Sequence, residues 1–145
     1  MKKLYTAFKG KNNTSCQLIS VLQQESLLLT NSFQGLEKDI CSMVGEYSCV
    51  IMLGVDKSLK NEIRLETCAD YRGEMIRSAF CTEVLTIKCD ELKIPYQVSD
   101  KPTGYLCNAA YWHMLRKVPN AIFLHIPSAK WASKEWMESL VRLLV

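Results

Sequence analysis

Two kinds of apolar pattern alternate along this chain: short continuous runs, and positions repeating three or four residues apart. Leu4-Tyr-Thr-Ala-Phe8 is a continuous run closed by polar residues 9–14, which predicts a strand and then a loop. Asn13-Thr-Ser15 offers N-cap residues for a helix that carries Leu18, Ile19 and Leu22 on one face. Leu27-Leu-Leu29 predicts a second strand. Leu36, Ile40, Met43 and Val44 then repeat at helical spacing, with Gly45 placed as a C-cap. Cys49-Val-Ile-Met-Leu-Gly54 is apolar throughout, as expected of a strand covered on both faces. Ile63-Arg-Leu-Glu66-Thr-Cys-Ala69 alternates instead, so one of its faces is polar or lines a site.

Residues 70–78 are polar and read as loop. Val84, Leu85, Ile87 and Leu92 predict a helix ending near Leu92, followed by a short strand over Ile94-Pro-Tyr-Gln-Val98. Pro102 stops any helix before it, and Tyr105 to Val118 predicts the next one. Ala121-Ile-Phe-Leu-His-Ile126 is another buried strand. Ser133 caps a last helix with Trp136, Leu140, Val141 and Leu144 facing inward. Strand–helix alternation of this kind predicts a single α/β domain over residues 1–145, with a central, mostly parallel sheet and helices on both faces.

Composition changes this picture little. A chain of 145 residues with 48% hydrophobic and 23% charged residues can bury a core of its own. The net charge of +3 is small and the basic residues are scattered, so a nucleic-acid partner is not expected. The first residues lack the apolar stretch of a signal peptide and no run approaches a membrane span. A cytoplasmic protein without a membrane partner is therefore expected. Seven cysteines, at 16, 41, 49, 68, 81, 89 and 107, form no CxxC pair, which argues against zinc and dithiol chemistry; no metal or cofactor is expected.

One cysteine has a distinctive setting. Cys107 sits about a turn inside a predicted helix, near unpaired backbone N–H groups and the positive end of the helix dipole, which favours a reactive thiolate. His125 lies at the carboxyl end of a buried strand, where open α/β sheets place their ligands, and imidazole is the natural base near neutrality. Glu66 is the best available carboxylate to orient that imidazole. His113 follows Cys107 by six residues, roughly 240° around a helix, and so points away from it. In a general population such a cysteine and histidine are more often core residues than catalysts.

These residues resemble the pyroglutamyl peptidase I (pyrrolidone-carboxylate peptidase) family of cysteine peptidases. The likeness lies in Ile63-Arg-Leu-Glu66, Gly104-Tyr-Leu-Cys107-Asn108 and Phe123-Leu-His125-Ile-Pro127, in that order along the chain. Leu4-Tyr-Thr-Ala-Phe8, Asn13-Thr-Ser15 and Val50-Ile-Met-Leu-Gly54 extend it. The resemblance implies Cys107 as nucleophile, His125 as general base and Glu66 as third member of a triad. It also implies a substrate pocket drawing on Phe8, Asn13, Val55, Tyr105 and Leu106, a small peptide or amide substrate, and a possible homo-oligomer. The departures are as informative. The aromatic loop after the first strand is trimmed, Val55 stands where the family has a glutamine, and Lys57-Ser-Leu-Lys60 replaces a glycine–glycine–arginine. The implied function is hydrolysis of an N-terminal pyroglutamyl or related small amide. The alternatives are another amide or thioester, or a binding protein that inherited the scaffold.

Overall fold

The computed structural model describes residues 2–10, 13–102 and 104–145. Six strands form the central sheet: β1 (Lys3–Phe8), β2 (Ser26–Leu29), β3 (Cys49–Val55), β4 (Ile63–Glu66), β7 (Tyr96–Ser99) and β8 (Ala121–Ile126), in the order β2-β1-β3-β8-β4-β7. All neighbouring pairs are parallel except β4 with β8. The two central strands are those with continuous apolar sequence. Every residue of β8 is buried, as is all of β3 up to Gly54, because helices cover both of their faces.

The helices divide between those faces. On one, α1 (Thr14–Leu22), α3 (Glu83–Leu92) and α5 (Lys134–Leu144) bury Leu18, Leu22, Leu85, Leu140 and Leu143 against Ile51, Leu65 and Leu124. On the other, α2 (Phe33–Cys41) and α4 (Tyr105–Lys117) pack Leu36, Ile40, Ala110, Tyr111 and Met114 over Met52 and Phe123. The predicted caps form: Asn13 Oδ1 accepts from the Ser15 and Cys16 amides, and Ser133 Oγ from Trp136.

Two local expectations are corrected. The helix expected to reach Gly45 ends at Cys41, and Val44 is 99% exposed. Lys117, in the last turn of α4, donates to the carbonyls of Ile40, Cys41 and Met43, satisfying the orphan acceptors that would otherwise continue the helix. Residues 70–78, read as loop, contribute to an antiparallel hairpin of β5 (Cys68–Tyr71) and β6 (Glu74–Arg77). Arg72 and Gly73 both have positive φ, 55° and 78°, the pattern of the tight turns whose twist suits a hairpin. Arginine is an unusual first residue for such a turn, which is why no turn is expected there from the residues alone.

This hairpin matters because it braces α4. The Asn108 side chain donates to the Asp70 carbonyl and accepts from the Asp70 amide, and Trp112 Nε1 donates to the Glu74 carbonyl. From the sheet side, the Tyr111 hydroxyl donates to the Glu66 carbonyl. The start of α4 is thereby fixed relative to the end of β4.

Candidate active site

Strand alternation decides which side chains share the α4 face of the sheet. Glu66 is opposite Phe123 and Arg64 opposite His125 across the antiparallel pair, and Gly54 is in register with His125 across the parallel pair. Residues paired in this way point to the same face. Gly54, Arg64, Glu66, Phe123 and His125 therefore line one patch of sheet beneath the start of α4.

Gly54 admits the helix to that patch. A Cβ at this position would stand 2.7 Å from Phe123 Cζ and 3.1 Å from the Cys107 sulfur. The sulfur thus occupies the space above a strand residue that has no side chain. Since Gly54 and His125 are register partners, the sulfur above Gly54 and the imidazole lie on the same face, over neighbouring strands. The imidazole's hydrogen bond is to carboxylate: Nδ1 is 3.2 Å from Glu66 Oε1, and both residues are buried. The Phe123 ring tilts against the imidazole with centroids 4.8 Å apart.

Two residues that sequence reasoning missed join this group. Arg64 Nε donates to the same Glu66 Oε1 at 2.6 Å, and its Nη2 donates to Asp56 Oδ2 at 2.6 Å. Burial acts to raise the Asp56 carboxyl, but hydrogen bonds from Ser58 and Arg64 overcome it and bring it down to about 2. The alternation of β4 had marked Arg64 as belonging to a polar face. No spacing rule connects it to Asp56, which lies across a loop.

Electrostatics at the sulfur depart from the expectation of a resting thiolate. Burial pushes the Cys107 thiol up to about 12, with the negative charges of Asp56 and Glu66 adding to the effect and Arg64 opposing it. Desolvation beneath α4 outweighs the dipole argument made from sequence. His113 faces the other way, as its spacing predicted. It packs beside Tyr71, with Nε2 3.6 Å from Glu37 of α2.

A cavity of about 170 Å³ opens beside the sulfur, lined by Phe8, Asn13, Asn31, Val55, Leu106 and Cys107. Four of the five pocket residues named from sequence are among these. The fifth, Tyr105, is not; it is 86% exposed and begins α4 with φ of 69°, a strained value for a non-glycine residue. Asn31 was not anticipated, since nothing marks an asparagine between a strand and a helix except turn chemistry. Residues 11 and 12 of the trimmed loop, and Thr103 before α4, lie outside the described residues.

The fold has solved counterparts. The chain has the fold of the pyrrolidone carboxyl peptidases. It superposes on pyrrolidone carboxyl peptidase from Thermus thermophilus with a TM-score of 0.78 at 20% identity, covering 98% of this chain and 96% of that one. The enzyme of that name from Thermococcus litoralis gives 0.77 at 18% identity, over 99% and 90% of the two chains. Pyroglutamyl peptidase I from Bacillus amyloliquefaciens gives 0.78 at 14%, over 99% and 92%. No protein-family model matches the chain, and no curated protein matches it by sequence. Among the described residues, no group of three or more acidic, histidine or cysteine side chains could hold a metal. No helix there is long and apolar enough to cross a membrane.

Proposed function

We propose that this protein is a cysteine hydrolase that cleaves a small amide, with Cys107 as nucleophile, His125 as general base and Glu66 as the group that orients the imidazole. The observation that carries this reading is the sulfur above Gly54, the register partner of His125, with His125 in turn hydrogen-bonded to buried Glu66. A carboxylate can only accept, so Nδ1–H donates to Glu66, and Nε2 keeps the lone pair that takes the thiol proton.

With the thiol raised to about 12, the proton leaves as the sulfur attacks rather than beforehand. The S–C bond forms, the carbonyl π pair moves onto oxygen, and Nε2 takes the proton. Among the described residues no side chain caps the start of α4, and its first backbone N–H groups serve the developing oxyanion. Collapse expels the amine, which carries away the proton from Nε2. Water then adds to the thioester with the same base, releasing the acid and restoring the thiol.

The cavity suits an amide. Asn13 spends its oxygen on the α1 amides and Asn31 its Nδ2 on the Lys9 carbonyl, which among the described residues leaves the Asn13 Nδ2 as a donor and the Asn31 Oδ1 as an acceptor. One donor and one acceptor on an otherwise apolar wall match the C=O and N–H of a compact amide such as a pyrrolidone. A second reading, a different small amide or thioester, is favoured by Val55, which gives the cavity an apolar wall where the resembled family has a glutamine.

The test is release of a fluorophore from a pyroglutamyl amide and from a panel of other acyl amides and thioesters. The wild-type protein is compared with Cys107→Ala and His125→Ala. Turnover of at least one substrate that both variants abolish is expected. Turnover unchanged in Cys107→Ala would overturn the reading.

A further inference from the structure

The hydrogen bonds around Glu66 are unevenly shared. Its Oε1 takes both Arg64 Nε and His125 Nδ1, whereas Oε2 is buried without a hydrogen-bond partner among the described residues. The Arg64 bond, at 2.6 Å, is the shorter and is charge-assisted at both ends. A guanidinium is a rigid planar fork, and the far end of this one is held by Asp56, which begins the loop after β3. The Arg64 side chain is 13% exposed and Glu66 4%, so neither end of the bond is free to swing into water.

A buried carboxylate that makes only one bond to its histidine has rotational freedom about its last torsion. Here that freedom is removed from the other side, by a cation that cannot move. We propose that Arg64 is the positioning residue of this site: anchored by Asp56, it holds Glu66 Oε1 on Nδ1 of His125 and so fixes which imidazole nitrogen faces the sulfur. Arg64 touches neither substrate nor sulfur in this role and acts through Glu66. Among the described residues the charged groups around His125 are Arg64 and Glu66 from β4 and Asp56 from the loop after β3, with the Cys107 thiol above them on α4. The inference rests on the reading of His125 as base.

The experiment has one spectroscopic and one kinetic arm. The chain has two histidines, so a ring ¹⁵N spectrum of the full-length protein is assigned by the variant His113→Gln alone. Wild type is expected to show His125 as a single tautomer protonated on Nδ1. In Arg64→Met the ring signals shift toward averaging of both nitrogens. In Arg64→Lys, which keeps a charge but not the fork, an intermediate pattern is expected. Asp56→Asn removes only the anchor and serves if the Arg64 variants do not fold.

In the kinetic arm Arg64→Met lowers kcat by about 10²-fold with KM little changed, as misplacement of a catalytic group by ~1 Å does. In a Glu66→Ala background, which removes the acceptor itself, the same substitution has no further effect, because its route of action is gone. An unchanged ring pattern in all three variants overturns the proposal whether or not a substrate is found. So does an equal loss in the wild-type and Glu66→Ala backgrounds. Retained turnover in His125→Ala, with the ring pattern still shifting in Arg64→Met, would instead refute the base reading and leave Arg64 as a positioner of a non-catalytic ring.

Discussion

Substituting Gly54 by alanine isolates the packing relation on which the site depends. The new methyl would lie 2.7 and 2.8 Å from Phe123 Cζ and Cε1, and 3.1 Å from the Cys107 sulfur. Carbon contacts are comfortable at about 3.5–4.0 Å, so the ring has to retreat by close to 1 Å. It has little room: Phe123 is 1% exposed and its ring sits between those of Tyr111, at 5.8 Å, and His125, at 4.8 Å. Overpacking of this kind costs about 1–3 kcal/mol. Alanine recovers about 0.5–1 kcal/mol by restricting the unfolded chain relative to glycine. The net loss is therefore up to about 2.5 kcal/mol, centred near ~1 kcal/mol, read as a lower urea midpoint at unchanged slope. Turnover should fall by more than the stability loss implies, because the methyl displaces sulfur and imidazole together, and a 1 Å error costs about 10²-fold. Gly104→Ala is the control. Its Cβ would meet nothing within 4 Å and its φ of −85° suits any residue, so its midpoint should match wild type or slightly exceed it. A Gly54→Ala protein with wild-type midpoint and wild-type rate would refute the placement of sulfur above the strand.

The remaining expectations concern charge, thiols and rate. Asp56 is depressed to about 2 from 3.8, so its contribution to stability is present above pH ~4 and lost as pH falls through about 2. With solvent screening this amounts to about 1 kcal/mol, and urea midpoints measured from pH 5 to 2 should lose that component in Asp56→Asn. Sub-stoichiometric iodoacetamide near neutrality should label exposed Cys41 and Cys81 ahead of Cys107, whose thiol is raised to about 12; peptide mapping showing Cys107 first would mean that the sulfur rests as thiolate. On a pyroglutamyl amide, kcat/KM should lie about 10² to 10⁴ below that of efficient enzymes. Two lost polar contacts at about 1–3 kcal/mol each set that range, and full efficiency would show the Val55 wall to be no handicap.

The fold was legible in the sequence because its central strands are continuous apolar runs and its helices carry single apolar stripes. Those signals need no tertiary context. What escaped was set by contacts between distant parts of the chain. α2 stops at Cys41 because Lys117, seventy-odd residues away, takes its last carbonyls. The β5–β6 hairpin is held by Asn108 and Trp112 of α4 rather than by a strong turn signal. The antiparallel entry of β4 beside β8 was likewise invisible, because alternation gives the faces of a strand but not its direction.

The candidate site divides along the same line. Cys107, His125 and Glu66 could be named as candidates from the sequence because each belongs to a local motif near the end of an element. Arg64 and Asp56 were not, because an ion pair across a loop leaves no periodic trace. The thiol was misjudged for a related reason: a helix start can be read from sequence, but the depth at which it is buried cannot. Dipole and desolvation act on the sulfur with opposite sign, and here burial wins. That outcome bears on mechanism. A thiol held as thiol needs its base at the moment of attack, so precise placement of the imidazole counts for more than in a site that rests as an ion pair. An imidazole held on one side by Glu66, with Glu66 held in turn by Arg64 and Arg64 by Asp56, is the kind of support that such a late proton transfer requires.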